Sequence, residues 1–210
     1  MKKSIKTANI NRRDMLKRLA VISAATLLPD ALLSVTNYAP AFHFIGLGDA
    51  GSNVVEYIYS KGIKGKYTCI SNTIKNNLPK KIQCIQLNTQ SVATEIPDAV
   101  LKIFNANDTF ILLSGLGGYV GTFMTEKLTL RLHQQQKKFM TITTLPFKFE
   151  GEERLLRALA TVEKLKNIPD FKFFELETIR TQYGHLPIRA AFEKVNEQFY
   201  TMYKSTCRFN

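Results

Sequence analysis

Residues 42–210 predict an α/β domain, a mostly parallel sheet with helices on both faces. Two observations lead there. Short apolar runs alternate along the chain with segments of helical periodicity, and glycine-rich turns join two of those runs to the helical segments that follow. The strand candidates are 42–45, 67–71, 82–87, 110–113, 139–143 and 171–174, each brief and rich in β-branched or aromatic residues. The helix candidates are 52–60, 97–104, 122–136, 152–166 and 187–204. In the fourth, Leu155, Leu156, Leu159, Val162 and Leu165 share one predicted apolar face. Glu152 and Glu153 stand in its first turn and Lys164 and Lys166 in its last, which suits the helix dipole. Strands alternating with helices require crossovers, and crossovers make strands parallel.

The composition sets the class. The chain has 210 residues, 45% apolar and 22% charged, which is ordinary for a globular domain with a full core. No apolar run reaches the roughly 20 residues that a membrane-spanning helix needs. The net charge is +12, and residues 1–41 hold seven Lys/Arg against two Asp, a net of +5. Such a balance suits anionic partners, whether nucleotide, nucleic acid or acidic lipid. The basic residues form no stripe interleaved with aromatics, so nucleic acid ranks low among them. Cys69, Cys84 and Cys207 show no paired or metal-ligand spacing; Cys69 and Cys84 fall in strand-like runs and read as buried free thiols. His43, His133 and His185 are scattered, and no metal site is predicted.

The chain divides into a basic extension, residues 1–41, and the α/β domain, residues 42–210. Within the extension, Asn11-Arg12-Arg13-Asp14-Met15-Leu16-Lys17 resembles a twin-arginine export motif, followed by an apolar run and by Ala39-Pro40-Ala41, a small-x-small pattern. Pro29-Asp30 breaks the apolar run early, so two other readings stand beside it: a basic amphipathic helix resting on an anionic membrane surface or a partner, and a disordered tail.

The glycine turns carry the chemistry. Gly46-Leu47-Gly48-Asp49-Ala50-Gly51 follows a predicted strand and opens a helix, the setting in which a backbone approaches phosphate and free N–H groups meet it. A dinucleotide-binding unit would add an acidic residue about 20 positions on, at the end of the second strand. That strand ends Ser71-Asn72-Thr73, with no acid, which argues against a nicotinamide-dependent oxidoreductase. A second cluster, from Gly115 through Gly117, Gly118 and Gly121 to Thr122, follows another strand. Two such turns on one sheet edge can wrap a polyphosphate from two sides.

In this order the motifs resemble those of tubulin and its bacterial relative FtsZ. The segment from Gly46 to Asn53 resembles that family's first phosphate loop, Asn72-Thr73 its Asn-Thr after the second strand, and Gly115 to Thr122 its signature loop, G-G-G-T-G-T-G. The run Pro146-Phe147-Lys148-Phe149-Glu150-Gly151-Glu152-Glu153-Arg154 is similar to the FtsZ segment P-F-x-F-E-G-x-x-R, and Leu186-Pro187 with Ala191-Phe192 resembles the start of the long central helix. The resemblance spans residues 42–205. It implies GTP or GDP as ligand, with Mg2+ accompanying the phosphates. The implied nucleotide-binding residues are Gly46, Gly48, Asp49, Ala50, Gly51, Asn53, Asn72, Gly115, Gly117, Gly118, Gly121, Thr122, Glu150, Arg154 and Asn196. Glu150 and Arg154 inherit contacts to the ribose and base side, and Asn196 the position that reads guanine. Self-association or an FtsZ-like partner, and a cytoplasmic location, follow from the same resemblance, with export or membrane attachment through residues 1–41 as alternatives.

The sequence departs from the family where phosphate would bind. Tyr119 and Val120 replace a glycine and a threonine of the signature loop, so strain is expected at Tyr119 and a lost hydroxyl at Val120. Glu175 stands where the family has an Asn. The acidic loop N-x-D-x-x-D, which follows the central helix in the family, has no counterpart in residues 201–210, and no catalytic residue is assigned. The expectation is a guanine-nucleotide-binding domain with weak or no hydrolysis of its own. The alternative is a degenerate, non-enzymatic scaffold that docks a partner or membrane through the extension.

Overall fold

A computed structural model describes residues 41–73, 75, 77–87 and 95–207. The twin-arginine, amphipathic-helix and tail readings fall on residues 1–40, outside the described residues.

All six predicted strands form: β1 (Phe42–Leu47), β2 (Lys66–Ser71), β3 (Ile82–Gln86), β4 (Thr109–Gly115), β5 (Phe139–Leu145) and β6 (Phe171–Glu175). They make one parallel sheet in the order β3-β2-β1-β4-β5-β6. The helices are α1 (Gly48–Ser60), α2 (Asp98–Leu101, continued by a 3-10 turn over Lys102–Asn105), α3 (Tyr119–Gln134), α4 (Glu152–Leu165), α5 (Leu176–Tyr183) and α6 (Ile188–Cys207).

Successive strand residues point to opposite faces, so the central strands are buried on both faces and feed two cores. Ile45, Leu47, Leu112 and Phe139 pack with Val100 of α2, Met124 and Leu128 of α3, and Val162 and Leu165 of α4. Phe44, Ile111, Leu113 and Ile142 pack on the other face with Val54 and Ile58 of α1, Ile179 of α5, and Val195 and Phe199 of α6. This is the predicted α/β class, with helices on both faces.

Several local expectations change. Helices α1 and α3 begin four and three residues before the predicted starts, because their glycines are the first helical turns and not loop. Glycine's poor helix propensity hid this. Tertiary contact and a bond from Ser52 Oγ to the Gly48 carbonyl, 2.8 Å, offset it. Helix α5 was not expected, being eight residues long with two buried apolar side chains, Leu176 and Ile179. In α4 the core side is Ala158, Thr161, Val162 and Leu165, while Leu156 and Leu159 of the predicted apolar face are exposed. Cys69 is buried as expected, but Cys84 is exposed, because β3 is an edge strand and three of its five residues are exposed.

Candidate functional site

Register brings the strand ends level. Leu47 pairs with Ile70 of β2 and with Ser114 of β4, and Gly115 pairs with Thr144 of β5. The turns after β1 and β4 therefore start side by side, flanked by the end of β2 and by the segment after β5. Between β1 and β4 the sheet order reverses, and open α/β sheets form a crevice at such a point.

The two glycine turns interlock. A Cβ on Gly51 would fall inside the contact shell of the Leu113 carbonyl oxygen, and one on Gly46 would strike the backbone of Gly51. A Cβ on Gly121 would lie 2.7 Å from the Gly115 carbonyl oxygen. Gly117 sits at φ +97°, where side chains are disfavoured. Its N–H donates to Thr122 Oγ1 at 2.8 Å, and its carbonyl accepts from Arg157 Nη1 at 2.9 Å. Gly46, Gly51, Gly117 and Thr122 thus build the turns and do not line the crevice.

The cleft they frame has a volume of about 390 Å3. Gly48, Asp49, Ala50, Asn72, Gly115, Gly118, Gly121, Glu150 and Arg154 line it, joined by Tyr119. Nine of the sequence-predicted residues, drawn from four separate segments, meet here. The strain expected at Tyr119 is absent. Tyr119 is the first residue of α3, and among the described residues Gln136 alone of the non-glycines has positive φ. Tyr119 is 50% exposed at the cleft, where it sets an aromatic wall, and Val120, largely buried in the core, borders the cleft with no hydroxyl to offer.

Three charged side chains line this cleft among the described residues. Glu150 is fully engaged: Oε1 accepts from the Phe147 N–H at 2.9 Å, and Oε2 accepts from Arg154 Nη1 at 2.6 Å. The Asp49 carboxylate accepts from Ser71 Oγ at 2.6 Å and from the Thr73 hydroxyl. Partial burial opposes its ionisation, but those two hydroxyls and the charge of Lys75 outweigh it and hold its pKa below the usual carboxylate range. The acid missing from the end of β2 in the sequence is therefore supplied there by the first glycine turn. A Gly-rich turn gives no sequence signal for this reach.

A larger cleft of about 640 Å3 opens between α1 and α6, and Ala50 lines both. Asn53 and Asn196 face it together with Tyr57, Phe192 and Thr144. Asn53 Oδ1 is held by Lys75 Nζ. Phe192 stands one helical turn before Asn196 and is 51% exposed. That i, i+4 spacing was the available signal for it as a site residue. Glu175 lines neither cleft and borders a smaller pocket beside α4.

The chain is 31% identical over 143 residues to "Cell division protein FtsZ" of Aquifex aeolicus, a match covering 60% of this chain and 39% of that protein. It is 27% identical over 171 residues to the FtsZ of Haloferax mediterranei, covering 73% and 45%. Among solved structures, a Methanocaldococcus jannaschii FtsZ dimer matches with a TM-score of 0.64 at 21% identity, covering 82% of this chain and 57% of that one. The relatives of this chain, in sequence and in structure, are FtsZ/tubulin-family proteins. No family model matches it. The FtsZ-like fold extends to CetZ2 of Haloferax volcanii, a GTPγS-bound protofilament, with a TM-score of 0.57 at 14% identity, covering 75% and 55%. The chain spans less than half the length of the curated FtsZ relatives cited. Among the described residues no helix is long and apolar enough to cross a membrane.

Proposed function

We propose that this FtsZ-like domain binds guanine nucleotide across the two clefts, phosphates in the glycine-framed one and base in the one between α1 and α6. The observation that carries this is the interlock of two glycine turns at the switch point, opening on a cleft that shares Ala50 with a second cleft containing Asn196. Gly48, Gly118 and Gly121 let the phosphates approach the backbone, and the first turn of α3 offers N–H groups and the positive end of its dipole. Phe192 gives the base a flat apolar surface, and the Asn196 amide offers a donor and an acceptor to its edge. Arg154, oriented by Glu150, faces the sugar side. A magnesium ion carried by the phosphates would meet Asp49, the cleft carboxylate bonded only to hydroxyls among the described residues, since Glu150 is tied to Arg154 and to the Phe147 amide.

Hydrolysis is weak or absent in this reading. The cleft residues serve as binding groups in this reading, and none is assigned a catalytic role. A cytoplasmic location and self-association belong to the same reading, by likeness to relatives that include the protofilament described above. Calorimetry on the full chain with GTP, GDP, ATP and NAD, with magnesium present, tests it. Selective guanine-nucleotide binding, weakened by Glu150→Ala and by Gly48→Val, is the expected result. Tighter NAD than guanine binding would replace it with a dinucleotide site.

The second reading is a scaffold that has the fold without the ligand. The Asp49 carboxylate within the glycine turn favours it, since a fixed negative charge opposes phosphate. A folded chain that binds none of the four nucleotides would establish it.

A further inference from the structure

Asp49 is an anomaly in a phosphate-binding turn. Its neighbours in the turn present backbone, while it presents a carboxylate that lines the cleft. The charged groups lining the cleft among the described residues are Asp49, Glu150 and Arg154, two negative and one positive. Arg154 is already paired with Glu150, and among the described residues no lysine lines the cleft. Lys75, whose charge acts on Asp49, does not itself line the cleft and is bonded to Glu56 and Asn53 on α1. Ser71 and Thr73 at the end of β2 anchor one oxygen of the Asp49 carboxylate, so swinging clear of an entering anion would cost it both hydroxyl bonds.

From this geometry we infer that Asp49 sets the phosphate charge that the site accepts, making it favour nucleoside diphosphate over triphosphate unless a divalent cation neutralises the phosphates. The inference rests on the nucleotide-binding reading above. The cause is Coulombic: each added phosphate brings charge into a cleft whose fixed charge is already negative, and the penalty grows with phosphate number. A divalent cation reduces it, because the carboxylate then faces phosphates whose charge is largely neutralised. The effect falls as salt rises, since the cleft is open to solvent.

The test compares GDP and GTP affinities of the full chain in EDTA with those of Asp49→Asn, which can still accept the two hydroxyl bonds but carries no charge. The wild-type chain is expected to prefer GDP, and Asp49→Asn to lower the GDP:GTP affinity ratio by about tenfold, the order of one unit charge acting across several ångströms of partly hydrated cleft. Magnesium is expected to shrink the wild-type preference and leave the variant nearly unmoved. A second measurement uses the wild-type chain alone: its preference should decline from low to high salt. An unchanged ratio in Asp49→Asn, or a wild-type preference indifferent to salt, overturns the inference while leaving nucleotide binding intact. Failure of wild type and variant alike to bind either nucleotide overturns the binding reading, and this inference with it.

Discussion

Arg157, on α4, donates from Nη1 to the carbonyl oxygen of Gly117 at 2.9 Å, 40 residues away in the chain. The bond ties the second glycine turn to a helix on the far side of β5, so the shape of the turn depends on how α4 packs. Arg157→Ala should leave the fold intact, because Arg157 is otherwise on the helix surface with Glu153. The turn loses one charge-assisted hydrogen bond. Guanine-nucleotide affinity should fall by about fivefold to tenfold, read by calorimetry, with a thermal midpoint within a few degrees of wild type.

Gly51 stands where α1 touches the backbone of β4, and even a methyl group there would collide with the Leu113 carbonyl. Backbone cannot yield as a side chain does. Gly51→Ala should destabilise the domain by about 3 kcal/mol in urea unfolding. The contrast is Gly62, just after α1 with φ +70° and open space where a Cβ would stand; Gly62→Ala should cost about 1 kcal/mol, a conformational penalty alone.

His43 lies at the opposite end of β1 from the clefts, buried, with Nε2 2.9 Å from Thr68 Oγ1. Nδ1 lies 3.7 Å from the Asp108 carboxylate, which Lys66 Nζ approaches at 2.7 Å. Burial lowers the imidazole pKa to about 4 against the partial opposition of Asp108, and Lys66 adds to the fall. The unfolded chain takes up this proton near pH 6.5 and the folded one near pH 4, so between those values the unfolded state binds more protons. The stabilisation is complete above pH 6.5 and is lost as pH falls toward 4, by up to about 3 kcal/mol. Urea unfolding at pH 7.5 and pH 4.5 should show this loss, and His43→Gln should remove most of it.

Phe192 and Asn196 share one face of α6 at the larger cleft. Phe192→Ala should weaken guanine nucleotides by about tenfold by removing a stacking surface, with equal effect on GDP and GTP. Asn196→Leu should instead lower the preference for guanine over adenine, since it removes the amide groups proposed to read the base edge. Competition of unlabelled GTP and ATP against a fluorescent guanine nucleotide separates the two effects.

The sequence by itself determined the six strands, the parallel class and the segments that meet at the site. Strands such as β1 and β4 are largely apolar on both faces, and their flanking glycines are local signals that need no partner to be read. The order of motifs likewise survives without coordinates. Tertiary structure decided which of those residues line the clefts and which only build them. Gly46, Gly51 and Thr122 look like their neighbours in sequence but face inward, because register and helix contact set their surroundings. Helix α4 turned Leu156 and Leu159 outward because the sheet meets it along Ala158, Val162 and Leu165. Asp49 illustrates the limit most directly: its carboxylate is fixed by Ser71 and Thr73, some twenty positions on, across a gap that only the pairing of β1 with β2 closes. Local pattern follows from the chain's own chemistry. What a side chain faces depends on which distant backbone the sheet brings beside it.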